Sequence, residues 1–161
     1  MREAPDRQPR APRPVARGIF AAVGRILAVD YGRRRCGIAV TDPLRLSVNP
    51  RPLVTPGELL DAVAAVHAEG ELDLVVLTRS VQADGTPNDV QADITRFAER
   101  LAERLPGLPV AYQDEHGSSR EARALLRTAG VGKKRRARKG ALDSVSAAII
   151  LERYLRDAGI W

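Results

Sequence analysis

Apolar residues along this chain repeat in two periods, and the switches between them lay out the elements. The first apolar run, Ile26–Asp30 (ILAVD), ends at Tyr31-Gly32 and predicts a short buried strand. After a basic turn, Cys36–Asp42 (CGIAVTD) predicts a second strand. So short a connection allows only an antiparallel neighbour. A third strand is expected over about 46–54, at an edge, because Pro50 and Pro52 cannot donate to a ladder. Thr55-Pro56 then opens a helix, Thr55 as N-cap, with Leu59, Leu60, Val63 and Val66 as its apolar stripe and Gly70 as its stop. LDLVVLT (72–78) predicts a fourth strand, and Asp84-Gly85 and Pro87 mark a loop. Val90, Ile94, Phe97, Ala98 and Leu101 have helical spacing over a helix reaching about Leu105. LPVAYQD (108–114) predicts a fifth strand. Ser118 and Glu121 form a capping box ahead of a short helix ending at Gly130, a basic loop spans 131–140, and a last helix covers about 141–157. Three meandering strands followed by α-β units predict an α/β fold, a five-stranded mixed sheet flanked by helices.

Residues 1–24, rich in Arg, Pro and Ala with prolines at 5, 9, 12 and 14, read as a flexible basic arm; the domain is expected over 25–161. The 161 residues suit one domain. No apolar run reaches the ~20 residues of a membrane span, and the start has no signal-peptide core, so the reading is cytoplasmic with no membrane partner. The lone cysteine, Cys36, fits a reducing compartment and reads as a small buried hydrophobe.

The net charge of +6 points to polyanions. Its distribution sharpens this. Residues 133–139, KKRRARK, carry six basic groups and no acid, and Arg33, Arg34 and Arg35 follow the first strand directly.

Three acids resist a bland explanation. Asp30 ends an apolar strand before a glycine turn, at the carboxyl edge where open α/β sheets keep their crevice. Glu115 ends the fifth strand, in the run Tyr112-Gln113-Asp114-Glu115. Asp143 lies one turn into the last helix, in line with Ala147, Ile150 and Tyr154. Taken singly, each could be a turn former or a helix-dipole partner. Converging on an apolar sheet they would repel one another unless a divalent cation sat among them, and Mg²⁺ or Mn²⁺ is the hard ion their oxygens suit. Such ions can activate water against a phosphodiester. Asp42, Asp84 and Asp114 read as turn chemistry, with Asp84 also able to approach the site. His67 reads as structural and His116 as a secondary site candidate.

Four stretches, ILAVDYGRRRCGIAVTDP, DGTPNDVQADITRFAERLAERL, DEHGSSREARALL and AGVGKKRRARKGALDSVSAAIILERYL, resemble in order and spacing the YqgF family, also called RuvX. The resemblance implies a ribonuclease-H-like fold and a metal-dependent nuclease whose acids fall on Asp30, Glu115 and Asp143. It also implies a role in maturing the 5′ end of pre-16S rRNA, kinship with RuvC-type Holliday-junction resolvases, and hence a pre-rRNA or single-stranded or branched DNA substrate. Lys133, Lys134, Arg135, Arg136, Arg138 and Lys139 match a basic segment beside the site and, with Arg33–Arg35, would grip phosphates. The chain departs from the pattern at Leu77-Thr78-Arg79-Ser80, where a Gly-Leu-Pro-like turn is usual, at His116 in place of Arg, and at Ser118 and Ser119 in place of a Thr pair. Arg79 would restore positive charge there. Monomer and homodimer both remain open, as does a non-catalytic nucleic-acid-binding factor of ribosome biogenesis or transcription. DYGRRRCG also resembles the phosphate turn of sugar kinases and actin, which need a second such domain.

Overall fold

The computed structural model describes residues 24–82, 84–114, 120, 124 and 139–161, of which 139–143 are described by their backbone. The strands are β1 (Arg25–Asp30), β2 (Cys36–Thr41), β3 (Val48–Val54), β4 (Leu72–Arg79) and β5 (Val110–Asp114). The helices are α1 (Leu59–Ala68), α2 (Asp89–Arg104) and α3 (Lys139–Asp157). The expected helix ending at Gly130 falls on residues outside the description except Arg120 and Ala124, both helical. The last helix starts two residues earlier than its apolar pattern indicates, so Lys139 sits in its first turn and not in the basic loop.

The sheet order is β3-β2-β1-β4-β5. The short 31–35 connection makes β2 antiparallel to β1, and β3 is antiparallel to β2, at the edge where its prolines cost no ladder bonds. β4 and β5 run parallel to β1, each reached by a helical crossover. β1 is therefore central.

Both faces are covered, which is why β1 reads as an unbroken apolar run. Leu27, Val29, Ile38, Val40, Val75 and Leu77 pack against Leu59, Val63 and Val66 of α1 and Ile94, Phe97 and Leu101 of α2. On the other face Ile26, Ala28, Ala39, Val76 and Ala111 meet Ala147, Ile150, Leu151 and Leu155 of α3. The alanines let α3 approach closely. Each fully buried Leu, Ile or Val contributes about 1.5–3 kcal/mol.

The helix starts follow local chemistry. Asn88 caps α2, its Oδ1 accepting from Val90 N at 3.0 Å and Gln91 N at 3.2 Å. Residues 56–58 form a turn, so α1 begins at Leu59, three residues later than Thr55-Pro56 suggests. Thr55 N and Oγ1 both donate to Glu58 Oε2, at 2.8 and 2.9 Å, which holds the Glu58 carboxyl below its usual range. The threonine hydroxyl thus serves the glutamate and caps no helix N–H.

α3 crosses the sheet obliquely, packing on β2, β3 and β1. Past its last turn, Trp161 Nε1 donates to Arg45 O at 2.6 Å. Arg45 in turn bonds Gly24 O and Asp73 at the amino ends of β1 and β4. Asp157 accepts from Gln113 of β5. α3 thus ends on the side of β4 and β5, and residue 143 lies fourteen residues back along it, about 21 Å.

Candidate active site

The parallel trio β1, β4 and β5 ends on one rim. Val29 is registered with Leu77 and Leu77 with Tyr112, so the next row holds Asp30, Thr78 and Gln113, with Arg79 opposite Asp114 one step further. At ~4.8 Å per strand, β1 and β5 are about 10 Å apart. The pleat turns Asp30 and Thr78 to the α3 side and Arg79 and Tyr112 to the α1/α2 side.

Asp30 is half-buried at the end of the central strand. The turn behind it is tight: a Cβ on Gly32 would lie 2.4 Å from Arg35 O, so only glycine fits. Tyr31 fastens the turn by packing on Phe97, ring centroids 6.2 Å apart. Burial pushes the Tyr31 phenol above its ordinary range, with smaller contributions from Cys36 and Asp93. Cys36 is buried, as its strand position suggests, and desolvation pushes its thiol up to about 11. It stays protonated at neutral pH and offers no soft ligand. Thr78 is fully buried, and its Oγ1 has no partner among the described residues. A carboxylate and an orphaned hydroxyl in one row are hard oxygen donors, a set that fits Mg²⁺ or Mn²⁺ and disfavours zinc.

The other expected residues separate into those the structure places and those it leaves outside. Glu115, His116, Lys133, Lys134, Arg135, Arg136 and Arg138 lie outside the described residues. β5 ends at Asp114, so residue 115 follows directly on the rim strand. Residue 143 is in the first turns of α3, on the face toward which Asp30 is directed. Among the described residues no three acidic, histidine or cysteine side chains cluster. Of the three acids, Asp30 is the one whose side chain is described. Asp42 and Asp84 are taken up by turns, bonding Ser47 and Leu44, and Thr86, respectively. His67 is exposed in the last turn of α1, at the far end of the sheet.

Arg33 is exposed yet anchored: its Nε bonds Asp93 Oδ2 on α2 at 3.1 Å, and Arg96 shares that carboxylate. These partners hold Asp93 below the usual carboxylate range, Arg96 first. Such a solvent-screened pair is weak, so a phosphate can compete for Arg33. Arg34 is exposed and Arg35 half-buried. Arg79 stands at the rim with its guanidinium 6.0 Å over the ring of Tyr112. The periodicity read Tyr112 only as a strand residue. Its exposure, 38%, comes from its place on the edge strand, which alternation alone does not reveal.

The β3-β2-β1-β4-β5 sheet with helices on both faces and an acid at the carboxyl end of its centre defines a ribonuclease-H-like α/β protein. Solved structures bear this out: a T. thermophilus RuvC in complex with a Holliday junction substrate matches with TM-score 0.51, 15% identity, and coverage of 83% of this chain and 96% of that one. A second Thermus thermophilus RuvC structure matches alike, at 14% identity. The chain belongs to the RuvX family, described as Holliday junction resolvase, whose model matches residues 24–157. A relative from Chlorobium luteolum, provisionally named a pre-16S rRNA nuclease, is 40% identical over 134 residues, 83% of this chain and 95% of its own. Relatives of the same name from Chlorobium phaeobacteroides and Porphyromonas gingivalis are 36% and 38% identical, covering 85% and 83% of this chain and 95% and 96% of theirs.

Proposed function

We propose that this protein is a divalent-metal-dependent nuclease that matures the 5′ end of pre-16S rRNA, with Asp30, Glu115 and Asp143 as its acids. Asp30 carries the reading: a half-buried carboxylate on the central strand, at the rim where β5 also ends and on the face covered by α3. The three acids come from separate elements, so they can surround an ion as a contiguous cluster could not. Family membership and the names of the relatives support the nuclease assignment and the rRNA substrate.

A bound Mg²⁺ or Mn²⁺ would polarise the scissile phosphate and lower the pKa of an attacking water. The chain's own residues do the rest. Asp30, Glu115 and Asp143 supply the oxygen ligands, and the Gly32 turn with Tyr31 on Phe97 keeps Asp30 in place. Arg33, Arg34, Arg35, the 133–139 run and Arg79 hold the backbone phosphates. Tyr112 under Arg79 offers an unstacked base a platform, which favours single strands and ends. Single-stranded or branched DNA would use the same phosphate and base contacts.

The test compares cleavage of precursor rRNA, single-stranded DNA and a four-way junction by the parent and by Asp30→Ala, each with Mg²⁺, with Mn²⁺ and with chelator. Cleavage of precursor RNA that needs metal and disappears in Asp30→Ala, while binding persists, is the expected result. Equal cleavage by the variant removes Asp30 from the chemistry. Binding without cleavage by the parent makes the chain a non-catalytic RNA-binding factor.

A further inference from the structure

Four of the large apolar side chains exposed among the described residues gather in one place, at the amino edge of the sheet and remote from the rim. Leu44 (63% exposed), Leu46 (75%), Ile160 (38%) and Trp161 (46%) line a cleft of about 510 Å³ with Arg45. The cleft is built rigidly. Arg45 has φ +57°, a left-handed conformation unfavourable for a side chain of its size, and three contacts hold it there. Its guanidinium bonds Asp73 at 2.9 Å and Gly24 O at 2.7 Å, and its carbonyl accepts from Trp161. The leucines on either side are consequently turned outward.

The chain enters the fold on the wall of this cleft. Gly24 N donates to Pro43 O at 2.9 Å, Gly24 O accepts from Arg45, and a Cβ on Gly24 would lie 1.9 Å from Asp73 Oδ2. The entry point is therefore clamped against the loop that carries Leu44 and Leu46. Immediately upstream stands Ile19-Phe20-Ala21-Ala22-Val23, which contains the large apolar residues of the arm apart from Met1 and Val15. Phe20 is four residues from Gly24, a reach of at most about 14 Å.

We propose that residues 19–23 occupy the cleft, with Phe20 set against Leu44, Leu46 and Trp161. Tethering decides between occupants. A segment held four residues away has an effective concentration of order millimolar. A second copy of the chain at micromolar concentration competes poorly with it, and the apolar surface is covered without an interface.

Trp161 is the chain's single tryptophan, so its emission reports on this cleft alone. The full chain is compared with Ile19→Ser/Phe20→Ser over a range of protein concentrations. The expected result is a red shift and greater acrylamide quenching in the variant at every concentration, with a melting transition that remains single and cooperative and is lowered by the lost apolar contact. A variant whose spectrum and quenching match the parent's overturns the proposal. So does a parent spectrum that moves with dilution as sedimentation shows a dimer parting, since the occupant is then a second copy. A second measurement uses Phe20→Cys/Leu46→Cys under mild oxidation in dilute solution, where Cys36 is buried and silent. An intramolecular disulfide is expected; no bridge, or bridging only between chains, overturns the placement.

Discussion

Asp30 shows how one side chain's position turns an ordinary acid into a candidate ligand. Half-buried at the end of β1, it would offer a hard oxygen to a bound cation, and replacing it with the isosteric amide removes that charge and the chemistry together. We expect Asp30→Asn to lower cleavage by about 10²-fold or more, since even outer-shell partners of metal ligands cost 10–100-fold. Mg²⁺ should raise the parent's melting temperature and leave the variant's unmoved, because only a folded state that binds the ion gains from it. A melting shift preserved in Asp30→Asn removes the ion from this carboxylate. Tyr112 gives a second prediction. Tyr112→Ala should weaken single-strand binding by about 1–3 kcal/mol while Tyr112→Phe retains it, and duplex binding should change in neither. Equal losses for single strand and duplex in titrations would mean the ring has a structural role only.

At the scale of elements, helix ends carry much of the positional information. α2 begins where Asn88 satisfies two backbone N–H groups and donates its own amide to Ser80 Oγ at 2.6 Å, which joins the helix to the end of β4. Asn88→Ala removes these bonds together. A loss of about 1–2 kcal/mol follows, or roughly 3–8 °C in a thermal melt of a domain this size. A melting temperature within error of the parent's would show that water replaces the cap. The Gly32 turn behaves similarly on β1: Gly32→Ala drives a methyl into Arg35 O, and the backbone shift that relieves it displaces Asp30.

The whole molecule is charged unevenly, and that sets its response to salt and pH. Neutralising Lys133, Lys134, Arg135 and Arg136 together should reduce the slope of log affinity against log salt by up to about 3, at ~0.7 per single-strand phosphate contact. An unchanged slope in filter-binding titrations would put that run away from the RNA. The alkaline limit follows from buried protons. The Cys36 thiol ionises near 9.0 when unfolded and at about 11 when folded, so between these values the unfolded chain gives up its proton first and stability falls. The Tyr31 and Tyr154 phenols, raised mainly by burial, add the same sign above about pH 10. On the acid side Asp42, Glu58, Asp84 and Asp93 are depressed, so what they contribute is present at neutral pH and lost as the pH falls through their lowered values. Denaturant midpoints measured across pH should show a plateau between the two limits, and Cys36→Ala should shallow the alkaline fall. An alkaline limb identical in Cys36→Ala would place the lost protons elsewhere.

By itself the sequence determined the order of the strands and of the three described helices, the edge place of β3 and the buried character of β1, because period and proline chemistry are local properties. It also singled out Asp30, since an acid that ends an apolar run before glycine is written in consecutive letters. Other features were decided only when distant segments met. Tyr112 became a rim residue because β5 lies at the sheet's edge, and Arg33 lost its independence because α2 brought Asp93 beside it. Thr78 was left a buried hydroxyl in the same row as Asp30. The Leu44–Trp161 cleft joins residues more than a hundred positions apart, and no local pattern records such a meeting: side-chain alternation and periodicity fix which way a residue faces, whereas only packing fixes what it faces.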